Sequence, residues 1–160
     1  MKKPSKIKTV SGKKAWLMMP NFSAITLFGV VYCKSKSMAN KINETDKVDS
    51  KLESHETIHV RQAESTSDSW LFFYAKYLWQ WFKNLPLIFV NLYAPYKFMA
   101  FELEAYRYQD DWDYCLKVCD GWKAYNKLKL KDKRKVAKQY YKGKYYFTTF
   151  IEKNIDPLLK

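Results

Sequence analysis

Both histidines of this chain stand in one short motif, His55-Glu56-Thr57-Ile58-His59. On a helix, residues four apart share a face and lie one turn from each other, so both imidazoles can bind the same metal ion. This spacing is typical of Zn²⁺ ligands, and the glutamate between them can take a proton from water. The motif therefore predicts a zinc site with His55 and His59 as ligands and Glu56 as general base.

The residues before the motif predict the helix that it requires. Ser50-Lys51-Leu52-Glu53 has the S-x-x-E pattern of a capping box, in which the two side chains satisfy free backbone amides at a helix start. We therefore expect a helix over 51–64, which places the histidines in its second and third turns.

A catalytic zinc usually has three protein ligands. Because the chain has no third histidine, the last ligand must be a carboxylate or, less readily, a cysteine. Pro95 favours the first turn of a helix over 96–109. That helix carries Glu102 among the apolar residues Phe98, Met99, Phe101, Leu103 and Ala105. Burying a carboxylate there is costly unless a cation or metal offsets it, so the inner faces of the two helices are expected to meet at the metal.

Cys115 and Cys119, four residues apart, are the alternative ligands. No other Cys/His cluster stands near them, so we expect both to be small buried hydrophobic residues. With Cys33 they make an odd, sparse set that implies no disulfide framework. This usage fits a reducing compartment, and we expect a cytoplasmic protein, free or peripheral at a membrane surface.

Composition and charge limit the protein class. The chain has 160 residues, 48% hydrophobic and 18% aromatic, with only four glycines, which favours one mainly helical domain over a turn-rich β-sandwich. The net charge of +13 is concentrated at the ends: residues 1–14 carry +6, residues 117–160 carry +9, and the middle carries −2. Such ends are usually solvated, so we expect at most a weak anionic partner, nucleic acid or lipid.

The apolar stretch 15–33 is the candidate for a membrane span or a sheet. Pro20-Asn21 splits it, and the residues after that point, Ala24 to Tyr32, are rich in β-branched and aromatic types. We expect a strand pair or one bent strand packed beside the metal helix and not a membrane span.

Four further elements follow from periodicity and turn residues. A helix is expected over about 69–83, capped by Ser67 or Asp68. Its stripe of mainly aromatic residues, Trp70, Phe73, Tyr74, Tyr77, Leu78 and Trp81, is expected to pack on the metal helix, and the alternative is that it lies on a membrane surface. Residues 87–93 form a short buried segment of undecided type. An aromatic helix should continue to about Gly121, and a lysine-rich helix over 123–142 should end at Gly143, before a strand over 144–151.

Three runs of the chain share a pattern with known proteins: HETIHVRQ at 55–62, Phe73-Tyr74 with Tyr77, and FELEAY at 101–106. They resemble small gluzincin-type metallopeptidases of the HExIHxxQ … FExEAY kind, found in Bacteroidetes and their phages. The resemblance covers about residues 21–125. It implies an α+β, mainly helical, zincin-like core with a short N-terminal strand region packed on the metal-binding helix. Its domain would be 15–125, between a basic N-terminus, 1–14, and a basic C-terminal extension, 126–160.

The resemblance also implies the ligand set. In gluzincins the third ligand begins an E-x-x-x-D pattern on a later helix, which here makes Glu102 the ligand and puts Tyr106 at the aspartate position. Tyr106 supplies no charge to orient a ligand histidine, which is a departure from the family. Glu104 lies about 200° around the helix from Glu102, so both cannot face one metal, and we choose Glu102.

The expected activity is zinc-dependent hydrolysis of peptide bonds, with Glu56 as general base. The sequence does not choose among the oxyanion donors Tyr93, Tyr96, Tyr106 and Arg107. An extended substrate peptide could pair with the strand region near 24–32. One alternative is a non-enzymatic, zinc-stabilised virion or membrane-associated protein, against which the retained Glu56 argues. The other is a nucleic-acid-binding module that uses the lysine-rich ends.

Overall fold

A computed structural model describes residues 8–11, 24–44 and 50–159. Strands β1 (Lys8–Ser11), β2 (Ala24–Leu27) and β3 (Val30–Cys33) form one sheet in the order β1-β3-β2. β1 runs parallel to β3, and β2 pairs with β3 antiparallel. The turn at Phe28-Gly29 has positive φ at both residues, 51° and 76°, as tight hairpins require. The predicted strand pair is therefore confirmed, while residues 15–23 of that stretch lie outside the described residues.

The rest of the described chain is mainly helical, so the fold is α+β and mainly helical, as predicted. The α-helices are α1 (Lys36–Glu44), α2 (Lys51–Ser65), α3 (Trp70–Asn84), α4 (Ala94–Lys97), α5 (Ala100–Tyr108), α6 (Trp122–Tyr125), α7 (Leu130–Lys142) and α8 (Phe147–Asn154). Short 3-10 segments follow α3, α5 and α8, at Leu85–Phe89, Tyr114–Leu116 and Asp156–Leu159. Within these described ranges, no helix is both long and apolar enough to cross a membrane.

Helix α2 begins where the capping box predicts. Ser50 is extended, with φ −143°, and its hydroxyl accepts the backbone N–H of Glu53 at 3.2 Å. Every residue from Glu53 to Val60 is buried, because β2, α3, α5 and the 3-10 turn at Tyr114–Leu116 all pack around the helix. The HETIH motif therefore lies at the centre of the fold.

The predicted helix over 96–109 is two helices, α4 and α5, separated at Phe98-Met99. Met99 is extended, with ψ 148°, and its N–H donates to the carbonyl of Tyr96. The side-chain amide of Asn84 donates to the carbonyl of Pro95 at 3.1 Å, which an unbroken helix would use for the Met99 N–H. Pro95 does stand in the first turn of α4, as predicted.

Two predictions around α3 are wrong. The N-cap residue is Ser69, and Ser67 and Asp68 have positive φ, 69° and 49°, so neither can cap the helix. The segment after α3 is a 3-10 turn in which Leu87 is buried, whereas Phe89 is 86% exposed.

Three predictions in the C-terminal third are also corrected. The expected aromatic helix to Gly121 is a loop with one 3-10 turn, because a carboxylate oxygen of Asp111 accepts the N–H groups of Asp113 and Tyr114. The lysine-rich helix is divided into α6 and α7, although it ends before Gly143 as expected. Residues 144–151, predicted as a strand, instead contain the start of α8. The apolar residues of this helix have helical spacing and bury one of its faces.

The main hydrophobic cluster joins both halves of the chain. Its largest fully buried members come from the turn after α3, from the α4–α5 region and from α8 with its C-cap residue: Leu87, Phe98, Phe101, Leu103, Phe150, Ile151 and Ile155. Residues of the predicted C-terminal extension, 126–160, thus pack against the helix that carries Glu102. A smaller cluster lies between the sheet and α1.

Candidate metal centre

Three side chains from α2 and α5 converge at one buried point. Nε2 of His55 lies 3.2 Å from Nε2 of His59, and the two carboxylate oxygens of Glu102 lie 3.2 and 3.4 Å from these nitrogens. Tetrahedral zinc, with ligand bonds of about 2.0–2.1 Å, would hold its ligand atoms about 3.3 Å apart. Oε2 of Glu102 is buried with no hydrogen-bond partner among the described residues. One ligand atom from each of the three residues lies within 4.8 Å of the others, so this is a group that could hold a metal ion, and two imidazoles with a carboxylate are donors of the kind that zinc takes.

The imidazoles and the carboxylate of this cluster stabilise each other's charged forms. Burial alone would raise the pKa of Glu102, but the imidazoles of His59 and His55 beside it hold the pKa below its ordinary range. Burial alone would lower the pKa of His59, and Glu102 outweighs that effect and raises it. A cation at this point is therefore compatible with the buried carboxylate, as the sequence predicts.

A buried amide fixes the orientation of His59. The side-chain NH₂ of Gln62 donates to the carbonyl of Phe101 at 3.0 Å and to Glu104 at 2.7 Å, so its oxygen faces His59. Nδ1–H of His59 donates to that oxygen at 2.8 Å. When Nε2 of His59 is deprotonated, as binding to a metal requires, this bond keeps the remaining proton on Nδ1 and the Nε2 lone pair faces His55 and Glu102.

Glu104 is the outer end of this chain of hydrogen bonds and not a ligand. Besides Gln62, it accepts the Tyr114 hydroxyl at 2.5 Å and the Gly121 N–H at 2.7 Å. Burial raises its pKa, while these donors act in the opposite direction. The choice of Glu102 over Glu104 as the third member of the cluster therefore agrees with the geometry.

Two tyrosines contact the ligands directly. The Tyr77 hydroxyl donates to Oε1 of Glu102 at 2.7 Å. Tyr106 packs against the ring of His55, with centroids 4.6 Å apart and planes at 63°, so it contacts this ligand through its ring. Nδ1 of His55 is buried without a hydrogen-bond partner in the described part of the chain.

Glu56 lies beside the cluster but outside it. The hydroxyl of Thr26, on β2, donates to Oε2 of Glu56. Glu56 lines two cavities, a more polar one of about 350 Å³ that His55 also lines and a mostly apolar one of about 490 Å³ that His59 and Glu102 also line. Its carboxylate can therefore reach a bound substrate without taking a ligand position.

The predicted oxyanion donors divide into two groups. Tyr93, Tyr96 and Tyr106 line the polar cavity, and Tyr96 also lines the apolar one. The guanidinium of Arg107 instead donates to Asp156 at 2.8 Å and pairs with Glu152 at 3.2 Å, on the C-terminal segment. Arg107 is therefore a structural ion-pair residue, because these carboxylates hold it away from both cavities.

Comparison with protein-family models, curated proteins and solved structures finds no match for this chain. Cys115 and Cys119 are fully buried, as expected, and take no part in the cluster.

Sequence reasoning missed three residues that position the site: Thr26, Gln62 and Tyr77. Gln62 and Tyr77 stand in the resembling motifs, and the i+3 spacing of Gln62 from His59 was the available signal. No local signal pointed to Thr26, because its partner Glu56 is thirty residues away in the sequence.

Proposed function

We propose that this protein is a zinc-dependent metallopeptidase of the gluzincin type with a zincin-like core. The observation that carries the proposal is the position of Glu56. Its carboxylate lies next to a triangle of two imidazoles and a carboxylate, yet it faces the cavities and occupies no ligand position. A purely structural metal site has no use for such a group.

His55, His59 and Glu102 would hold the zinc, which when bound supplies Lewis acidity and lowers the pKa of water toward neutrality. Gln62 keeps His59 in the tautomer that presents Nε2, and Tyr77 orients Glu102. Buried groups of this kind exclude water and reduce the reorganisation that the reaction requires.

Glu56 takes the proton of the attacking water and passes it to the leaving amine. The Thr26 hydroxyl keeps the carboxylate in place between the two cavities. Tyr96 lines both cavities, and its hydroxyl would donate to the developing oxyanion after turning away from the Tyr77 hydroxyl, to which it is hydrogen-bonded. Burial raises the pKa of Tyr96 well above its ordinary value, so its hydroxyl stays protonated and can donate at neutral pH.

The substrate would be an extended peptide. In the described sheet β2 is an edge strand, and it carries Thr26, which contacts the general base. A peptide added to this edge would pass both cavities, and its backbone would pair with β2. The lysine-rich ends remain a proposed weak site for an anionic partner.

Substitution of Glu56 by Gln tests the proposal. The amide is nearly isosteric but cannot accept the proton, so hydrolysis should fall by about 10²–10⁴ while zinc content and fold stay unchanged. Glu64→Gln is the matched control on the same helix, because Glu64 pairs with Arg61 and lines neither cavity.

The measurements are elemental analysis of purified protein and cleavage of a panel of unfolded proteins and quenched fluorescent peptides. His55→Ala and Glu102→Ala should each lose zinc. Full hydrolysis by Glu56→Gln, or zinc retained by both ligand variants, would show that the proposal is wrong.

A further inference from the structure

The outer side of α3 and the turn after it exposes an unusual amount of apolar surface. We call it the aromatic face, and its members are Phe28, Leu71, Phe72, Leu78, Trp79, Phe82, Phe89 and Leu92. Exposure ranges from 59% for Phe72 and Trp79 to 86% for Phe89. Contiguous apolar surface of this kind is rare on proteins without a partner for it.

Helical geometry explains why these residues point outward. Phe73, Gln80 and Asn84 form the buried stripe of α3. Leu71, Leu78 and Phe82 lie on the opposite side of the same helix, where a helix at the surface normally carries polar residues. The apolar residues on the outside therefore contribute nothing to the core.

The charge around the aromatic face has one sign. Between Asp68 and Glu102 the chain has three lysines and no acidic residue. Lys76 and Lys83 stand seven apart on the flank of α3 beside the face, and both are exposed. The Lys83 ammonium lies 5.9 Å above the ring of Trp79, at the border between the apolar and basic parts.

This combination favours an anionic lipid surface over a second copy of the chain. A two-fold symmetric dimer through the face would bring Lys76 and Lys83 near their own copies, with no acidic residue of α3 to neutralise them. Anionic headgroups supply that negative charge, and tryptophan with lysine beside an apolar helix face is typical of segments that lie in the membrane interface.

We propose that the aromatic face docks in the plane of an anionic membrane, with α3 lying along the surface and its lysines at the headgroups. Leu71, Leu78 and Phe28 also line the apolar cavity beside Glu56 and His59. A docked molecule therefore opens that cavity toward the bilayer, where apolar peptide segments are found. Docking itself does not depend on the proposed hydrolysis.

Flotation with vesicles tests the proposal on the full chain. The vesicles contain phosphatidylcholine with about 30% phosphatidylglycerol, in about 0.15 M NaCl, at which Lys76 and Lys83 still attract the headgroups; the lysine-rich ends are the same in the wild type and in every variant compared. Phe82→Ser/Phe89→Ser should lower the partition coefficient at least about tenfold, because two exposed rings no longer enter the interface. Trp112→Ser/Val118→Ser is the matched control, since both residues are exposed and apolar but outside the face. It should float like the wild type.

Two further measurements complete the test. Lipids brominated in the acyl chains should quench tryptophan fluorescence in the wild type, and Trp79→Phe should reduce the quenched fraction. Equal flotation of the face variant and the wild type would overturn the proposal, as would a wild type that does not float. A wild-type dimer in sedimentation that Phe82→Ser/Phe89→Ser dissociates would also overturn it, in favour of a second copy.

Discussion

The hydrogen bonds of Gln62 make a specific prediction about zinc affinity. Replacing this residue by leucine keeps a buried side chain of similar size and removes all three hydrogen bonds. His59 then loses the acceptor that holds its proton on Nδ1, and Glu104 loses one of its donors. Because the metal-free protein no longer presents Nε2 in a fixed orientation, we expect zinc affinity to fall about 10–100-fold.

The same contacts set the expected loss of stability. The change leaves two buried polar groups, Nδ1 of His59 and one oxygen of Glu104, without this partner. Each such group costs about 1–3 kcal/mol. The free energy of unfolding of the metal-free protein should therefore fall by roughly 2–6 kcal/mol, measured by urea denaturation.

Gln80 offers a matched control. It is also a buried glutamine, and its side-chain oxygen accepts the N–H of Phe101 at 3.3 Å, but it contacts no ligand. Gln80→Leu should lower stability and leave zinc affinity unchanged in competition with a chromophoric chelator. If folded Gln62→Leu bound zinc as tightly as the wild type, the amide would not orient His59. If Gln80→Leu lost as much zinc affinity as Gln62→Leu, a general loss of core packing, and not the orientation of His59, would explain the effect.

Two more predictions concern buried groups away from the ligands. Burial lowers the pKa of Lys133 to about 8, below its unfolded value of 10.5, so the unfolded state binds more protons between these values and stability rises with pH across that window. Lys133→Met removes this titrating group and also the hydrogen bond from Lys133 Nζ to Oδ1 of the buried Asn84, so the test is the pH dependence: in urea denaturation, the stability of the wild type should rise relative to that of the variant between pH 8 and pH 10.5. A difference that stays constant over this window would contradict the prediction, and the exposed Lys138→Met should show a constant one. Gly121→Ala would place a Cβ 2.9 Å from both Oε1 of Glu104 and the Tyr114 hydroxyl, so it should cost about 1–3 kcal/mol in urea unfolding, and an unchanged midpoint would contradict the packing.

The parts of the site that could be predicted depend on local rules. The two histidines and the N-cap Ser50 follow from helical spacing and capping, which act within a few residues. Glu102 was identified by the cost of burying a carboxylate among apolar neighbours, a rule that needs no knowledge of the partner. These rules therefore located the cluster before the fold was known.

The parts that could not be predicted depend on contacts between distant segments. The helix breaks between α4 and α5 because the side-chain amide of Asn84 donates to the carbonyl of Pro95, eleven residues later in the chain, and the Met99 N–H then does not use that carbonyl. The Thr26 hydroxyl reaches Glu56 only once β2 packs on α2. The strand predicted over 144–151 followed β composition, but Phe147, Phe150 and Ile151 also have the spacing of a helix face, and tertiary packing favoured that alternative.

The loop between α5 and α6 also bears on how fast a metal ion could leave the site. The Gly121 N–H and the Tyr114 hydroxyl, both beyond α5, hold Glu104, and Glu104 holds the amide that orients His59. Local opening of such a loop is far more frequent than global unfolding. Each opening would release Glu104, and through Gln62 it would briefly free His59 to rotate. The lifetime of bound metal would then follow the opening rate of a segment that contains no ligand.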